Sequence, residues 1–305
     1  MLSPRSSAIW FALFLVVAGG KAIANEQLEA SWEKLIQGLQ QAQQSLTDPA
    51  SFPPEPTDRN LSEGYRYLLG HLSRMIEMEM RLHPRYPEFF RSMDMLRKWT
   101  AENPDTMYLK APVDSTGYYR IAGIASNTRE WQTSERGVPG PKAPRMVTFQ
   151  TITDVPGSTG HLKEMGNCKN QTLDYLNSFN LQIDGEGHFE ILVGPQRPDA
   201  YNGNFLQSKK RMTCPSTGQE LIRHAKFLSV REIFSDWENE RTLDMEIVRV
   251  DARGESRPPM SAATMSKKLE NIASELPNQI KFWQLLQEIS LEARSDVNKD
   301  GRRNM

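Results

Sequence analysis

Apolar positions along this chain follow one period in its first third and last eighth, and another between them. From Glu26 to about Leu46, Leu28, Trp32, Leu35, Ile36 and Leu39 recur every three or four residues, which predicts an amphipathic helix. Thr47 to Asp58 holds four prolines and reads as a loop. Asn60 and Glu63 are spaced as a capping box for a second helix, which His83-Pro84 ends. Leu61, Tyr65, Leu68, Leu69, Leu72 and Ile76 form its expected buried stripe, and a third, shorter helix is expected over Pro87 to Trp99, with Phe89, Phe90, Met93 and Leu96 inward.

After Asn103 the period drops to about two. Met107–Val113, Tyr118–Ile124, Met146–Ile152, Phe227–Phe234 and Leu243–Val250 read as strands. Leu181 to Val193 has apolar runs on both sides of Asp184-Gly-Glu-Gly187 and predicts a hairpin. No long crossover helices separate these strands, so an antiparallel arrangement is expected over a parallel α/β sheet. Pro258-Pro259 closes the strand region, and Ser261 to about Arg294 returns to helical spacing, with Ile280, Trp283, Leu286 and Ile289 as its stripe. The expected fold class is α+β: an antiparallel β-sandwich or barrel-like core with N-terminal helices and a C-terminal helix. The segments divide as 1–24, a helical region 25–102, a β-rich core 103–258, and a C-terminal helix with polar tail 259–305.

Charge removes one class of partner. The 305 residues carry 37 Lys plus Arg against 38 Asp plus Glu, so no basic excess exists to bind nucleic acid. The start of the chain points to a compartment. Arg5, an apolar run from Ile9 to Val17, and Ala22-Ile23-Ala24 have the layout of a cleaved secretory signal, with no later stretch long enough to span a membrane. Export to a periplasmic or secreted location gives the two cysteines, Cys168 and Cys214, an oxidising setting, where a disulfide is expected. The loop-entropy model values that crosslink at roughly 4 kcal/mol.

Catalytic signatures are sparse. The chain has no G-x-S-x-G, H-E-x-x-H, phosphate-binding G-x-x-x-x-G-K-[ST] or G-x-G-x-x-G, and its five histidines stand in no metal-ligand spacing. Asp296-Val-Asn298-Lys-Asp300-Gly301 opens like a calcium loop but has no glutamate to complete one, so no metal and no cofactor is expected. Two polar constellations remain. Asn103, Asp105 and Tyr108 precede and enter the first strand of the core. Arg231, Asp236, Trp237 and Glu240 span the end of a later one. An arginine, two acids and a flat aromatic can fix a polar ligand, or they can form an internal ion-pair network.

Asn103-Pro-Asp105-x-x-Tyr108, Tyr119-Arg120-Ile121-x-Gly123, Asp184-Gly-x-Gly-x-Phe189 and Arg231-x-x-Phe234-x-Asp236-Trp237-x-x-Glu240-Arg241 together resemble the bacterial family called domain of unknown function 1214. Glu63-Gly-Tyr-Arg-Tyr-Leu68 is similar to the helical lead-in of its members, so the resemblance covers roughly residues 60 to 250. It implies an antiparallel sandwich-like core dressed with helices, and no activity. The sequence departs from the family between Asn127 and Asn180, where Pro139, Pro141, Pro144, Pro156 and Cys168 fall.

Three functions fit these observations. A binding module for a polar small molecule or glycan would use Tyr108, Arg120, Arg231 and Trp237. A metal-independent hydrolase or lyase would use Asp105, Asp236 or Glu240 as acid and base. In a scaffold the same residues would serve only the fold.

Overall fold

The computed structural model describes residues 26–51, 53–99, 102–133 and 135–295, the last five as backbone alone. The expected leader, residues 1–24, and the calcium-like Asp296–Gly301 lie outside the described residues.

Helix α1 covers 26–44, and a single 3-10 turn, Pro49–Ser51, sits in the proline-rich loop. Helix α2 is Asp58–Arg81. Its cap is Thr57 rather than the expected Asn60: the Thr57 hydroxyl accepts the Asn60 backbone N–H at 3.2 Å. The buried face of α2 also differs from expectation. Leu68 is buried, yet Tyr65, Leu69 and Ile76 are exposed, while His71, Arg74, Met75, Met78 and Glu79 turn inward.

The expected third helix over 87–99 is absent. Phe90–Arg91 (β1) pairs with Thr106–Pro112 (β2) instead, and the Ser92 N–H donates to the Tyr108 carbonyl. Asp94 then holds a local turn by accepting the N–H groups of Leu96 and Arg97, a competition that aspartate often wins over helix.

The remaining strands are β3 (Tyr119–Ile124), β4 (Met146–Ile152), β5 (Thr172–Asn177), β6 (His188–Gly194), β7 (Asn204–Gln207), β8 (Lys209–Thr213), β9 (Glu220–His224), β10 (Phe227–Ile233) and β11 (Asp244–Arg249). A short helix, α3 (Arg129–Gln132), follows β3. The long helix α4 (Ala262–Ser295) closes the chain and carries Pro277 in its interior.

The strands form a five-stranded sheet in the order β1-β2-β10-β4-β5, a four-stranded sheet β11-β3-β6-β7, and a separate β8-β9 ribbon. All pairings are antiparallel except β6 with β7. The expected hairpin over Leu181–Val193 does not form. The Asn204 side chain bonds Gln182 N and O and the Glu190 carbonyl, so the Leu181 arm is tied by a side chain and β6 pairs with β3 and β7.

Two apolar cores result. In the first, Ala111, Val147, Phe149, Leu228 and Val230 of the larger sheet meet Ile121, Ile191, Val193 and Ile247 of the smaller. In the second, Leu35, Leu68, Met75, Met78, Leu269, Ile272, Leu276 and Ile280 of α1, α2 and α4 gather with Phe90 and Phe227 of the larger sheet. The chain is therefore α+β: two sheets packed as a sandwich, with the N-terminal helices and α4 gathered on one side. Cys168 and Cys214 are joined, with Cα atoms 5.8 Å apart, tying the loop after β4 to the β8-β9 ribbon. No described helix is long and apolar enough to cross a membrane.

Candidate functional site

The residues singled out from sequence do not assemble into one site. Tyr108 and Arg231 are register partners on β2 and β10, and the guanidinium lies 5.7 Å from the phenol ring. Beside them, exposed Trp237 stacks on Phe234 at 4.1 Å and donates its indole N–H to Asp105. Asn103 serves its own turn, its side-chain oxygen accepting the Asp105 N–H while its N–H reaches the Tyr108 hydroxyl. These five therefore form a surface cluster at one end of the larger sheet.

The other three do not join it. Arg120 lies on β3 in the smaller sheet, half exposed and ion-paired with Glu190. Asp236 caps the turn after β10: the Asn239 side-chain amide, then the Asn239 and Glu238 N–H groups, hold its carboxyl below the ordinary range. Glu240 is buried and accepts the Arg145 N–H, the Ser235 N–H and the Ser235 hydroxyl. Lys142, which bridges to Glu240 through the backbone, forms a buried ion pair with Glu130 at 2.9 Å. The oxygens of Asp236 and Glu240 are thus taken by neutral protein donors, and neither carboxylate forms an ion pair among the described residues.

A cleft of about 750 Å³ opens at a different place, where the C-terminal end of β3 meets the N-terminal ends of β6 and β11. Ser126, Asn127, Thr128 and Arg129 form one wall, running from β3 into α3. The Asp184–Gly187 turn forms another, and Thr242 and Asp244 a third. Gly187 is required here: its φ is +90°, and a Cβ would collide with the Ala125 carbonyl, while its own carbonyl accepts the Ala125 N–H at 2.9 Å. The turn is fixed by Asp184, whose Oδ1 accepts the N–H groups of Glu186 and His188 at 2.9 and 2.8 Å. The His188 N–H, and less strongly the Glu186 N–H and the imidazole, keep the Asp184 carboxyl ionised below its usual range.

Chemically the cleft is rich in acceptors. Asp184, Glu186 and Asp244 contribute three carboxylates against one cation, Arg129, which is itself paired with Glu135 at 2.7 Å. No aromatic side chain is among its lining residues. Of its walls, the sequence marks Asp184-Gly-Glu-Gly187, as a hairpin turn and as part of the family-like motif Asp184-Gly-x-Gly-x-Phe189. The Ser126-Asn-Thr-Arg129 run was the overlooked signal: four polar residues directly after an apolar strand, where a strand end often presents ligand groups.

No family model and no curated protein matches the chain. A solved structure does share the fold. An uncharacterised protein from Burkholderia cenocepacia superposes with a TM-score of 0.64 at 19% identity, over 85% of this chain and 60% of that one. The chain thus spans less than two thirds of that neighbour's length. At this identity the likeness extends to the fold alone.

Proposed function

We propose that the protein is an exported member of the family called domain of unknown function 1214, acting as a binding module for a polar small molecule. The observation that carries this reading is the cleft of about 750 Å³ built from three strand ends. Its excess of carboxylates, and the lack of an aromatic platform among its lining residues, favour a ligand with amine or hydroxyl donors over an anion or a stacked glycan ring. Export is supported by the Cys168–Cys214 disulfide together with the signal-like Arg5, Ile9–Val17 and Ala22-Ile23-Ala24. Family membership is supported by the order of the four short motifs, which fall at the start of β2, within β3, at the start of β6 and at the end of β10.

The test is thermal unfolding of the mature protein against a panel of polyamines, amino sugars, polyols and neutral saccharides. A ligand that binds the folded state raises the melting temperature as RT ln(1 + [L]/Kd). An amine- or hydroxyl-rich compound should do so saturably, and Asp244→Asn should weaken it about tenfold or more. A panel without effect, or a hit unchanged in Asp244→Asn, removes the cleft as the binding site.

A further inference from the structure

A second polar cluster lies in the other half of the molecule, between the helices and the larger sheet. Arg74 of α2 is 3% exposed, and its guanidinium carbon sits 4.2 Å from the centre of the Trp99 ring. Its Nη2 donates to Gln279 Oε1 at 3.0 Å and to His71 Nδ1 at 3.1 Å. Because a guanidinium only donates, His71 must accept at Nδ1 and carry its proton on Nε2. Lys110 of β2, 5% exposed, approaches the same indole ring at 5.0 Å and has one hydrogen bond, to the Ser92 hydroxyl at 3.3 Å.

Most of the atoms left over here are donors, Glu102 Oε1 being the exception. Arg74 Nε and Nη1, His71 Nε2 and Trp99 Nε1 are buried and meet no acceptor. Every one of them is a donor. Two cationic side chains share this space, and neither has an ion pair among the described residues. Buried donors without acceptors are costly and uncommon in native proteins. What would satisfy them is a compact group with several acceptor atoms and negative charge. We propose that Arg74, His71 and Trp99, with Lys110 alongside, form a binding site for a small oxyanion, a carboxylate or an inorganic anion of similar size.

The charge state of the cluster agrees. Burial first, then the Arg74 and Arg231 charges, push the Lys110 ammonium down to about 7, and burial followed by Arg74 holds His71 well below its usual range. Burial also lowers Arg74, to about 9, against the opposing pull of Tyr67 and Glu102. An arriving anion would favour the protonated form of Lys110, so its binding would take up a proton and weaken as pH rises, while His71 stays neutral to accept from Arg74. Glu102 is the internal competitor, since its Oε1 is buried without a hydrogen bond and its charge reaches Arg74.

The experiment uses the full mature chain, dialysed free of buffer anions. Its melting temperature and tryptophan emission are followed against formate, acetate and phosphate, with chloride at matched ionic strength as reference. At least one oxyanion should give a saturable rise in melting temperature and a change in emission, tighter at pH 6.5 than at pH 8.5. Comparison among the three separates carboxylate from phosphate chemistry. Arg74→Met should abolish both responses. Because that variant alters a buried position, Trp99→Phe supplies a second reading: it keeps the ring, removes one donor, eliminates the emission change and weakens binding severalfold. Glu102→Gln should leave binding intact or tighten it. The proposal is overturned if no oxyanion acts beyond chloride, if Arg74→Met responds like the parent, or if anion dependence exists only in Glu102→Gln, which would make Glu102 the counter-ion.

Discussion

The two faces of the five-stranded sheet are built on opposite terms. Toward the smaller sheet, β2, β4 and β10 present Leu109, Ala111, Val147, Phe149, Leu228 and Val230, interrupted by Thr151 and Glu232. Toward the helices, the alternate positions of the same strands carry Tyr108, Lys110, Thr148, Ser229 and Arg231 beside Phe227 and Ile152. One face is closed by apolar packing. The other meets helix residues that are themselves polar and buried, including His71, Arg74, Glu79, Lys268 and Gln279. Burial alone therefore does not describe how this sheet is held. Between the sheets the stabilisation is non-directional and scales with area, whereas under the helices it depends on whether each donor and acceptor finds its partner.

The sharpest way to break this contrast is to mutate matched positions on the two faces. Phe149 is fully buried between the sheets and meets Phe189 edge-on at 5.9 Å. Phe149→Ala should cost about 3–5 kcal/mol in chemical denaturation, the usual penalty for an aromatic cavity. Lys110→Met on the opposite face should do the reverse. With its folded value lowered to about 7 against an ordinary 10.5, Lys110 binds fewer protons in the native state, so its penalty grows as pH falls from about 10.5 to 7. The methionine variant should gain about 1–4 kcal/mol at neutral pH, a gain that shrinks toward pH 10. A loss of stability at pH 7 would contradict the account of Lys110 as an uncompensated buried cation.

The smallest effect sharpens the comparison from the apolar side. Glu232 is wholly buried among the sandwich residues, and burial raises its carboxyl to about 7, against one hydrogen bond from the Leu243 N–H. A raised acid binds more protons when folded, so stability is full below about 4.5 and declines as pH rises to about 7. Glu232→Gln keeps the hydrogen bond and should remove about 1–3 kcal/mol of that decline, read as a flatter stability profile between pH 4.5 and 7. Glu275, also raised to about 7, leaves part of the slope in place. An unchanged profile in the variant would show that Glu232 does not titrate in this window.

Strand positions were legible because a two-residue period is a local property. Met146–Ile152 coincides with β4, and Tyr118–Ile124 and Leu243–Val250 differ from β3 and β11 by a residue at their ends. Besides β1, which falls in the expected third helix, four strands lay hidden. β5, β7, β8 and β9 are short, β8 has no buried position, and β7 alternates buried Asn204 and Leu206 with Phe205 and Gln207, so a buried asparagine masks its pattern. The candidate site fared differently. Tyr108 and Arg231 meet across β2 and β10 though 123 residues separate them in sequence, yet Arg120 stands on the other sheet and Glu240 faces inward. Spacing along a strand tells which side chains share a face, and nothing about which sheet lies opposite.

By itself the sequence determined the helical front and tail, the period of the core strands and the pairing of Cys168 with Cys214, since each depends on near neighbours or simple counting. Only the tertiary structure decided which side of α2 is buried. Its apolar Leu69 and Ile76 stay in solvent while Arg74 and Glu79 go inside, because Gln279, Lys268 and Asn271 of α4 and Trp99 stand there to receive polar groups. The same holds for the cleft, whose walls come from chain segments more than fifty residues apart. A residue's period records its own polarity. Its fate on folding depends on the chemistry of whatever the chain later places against it.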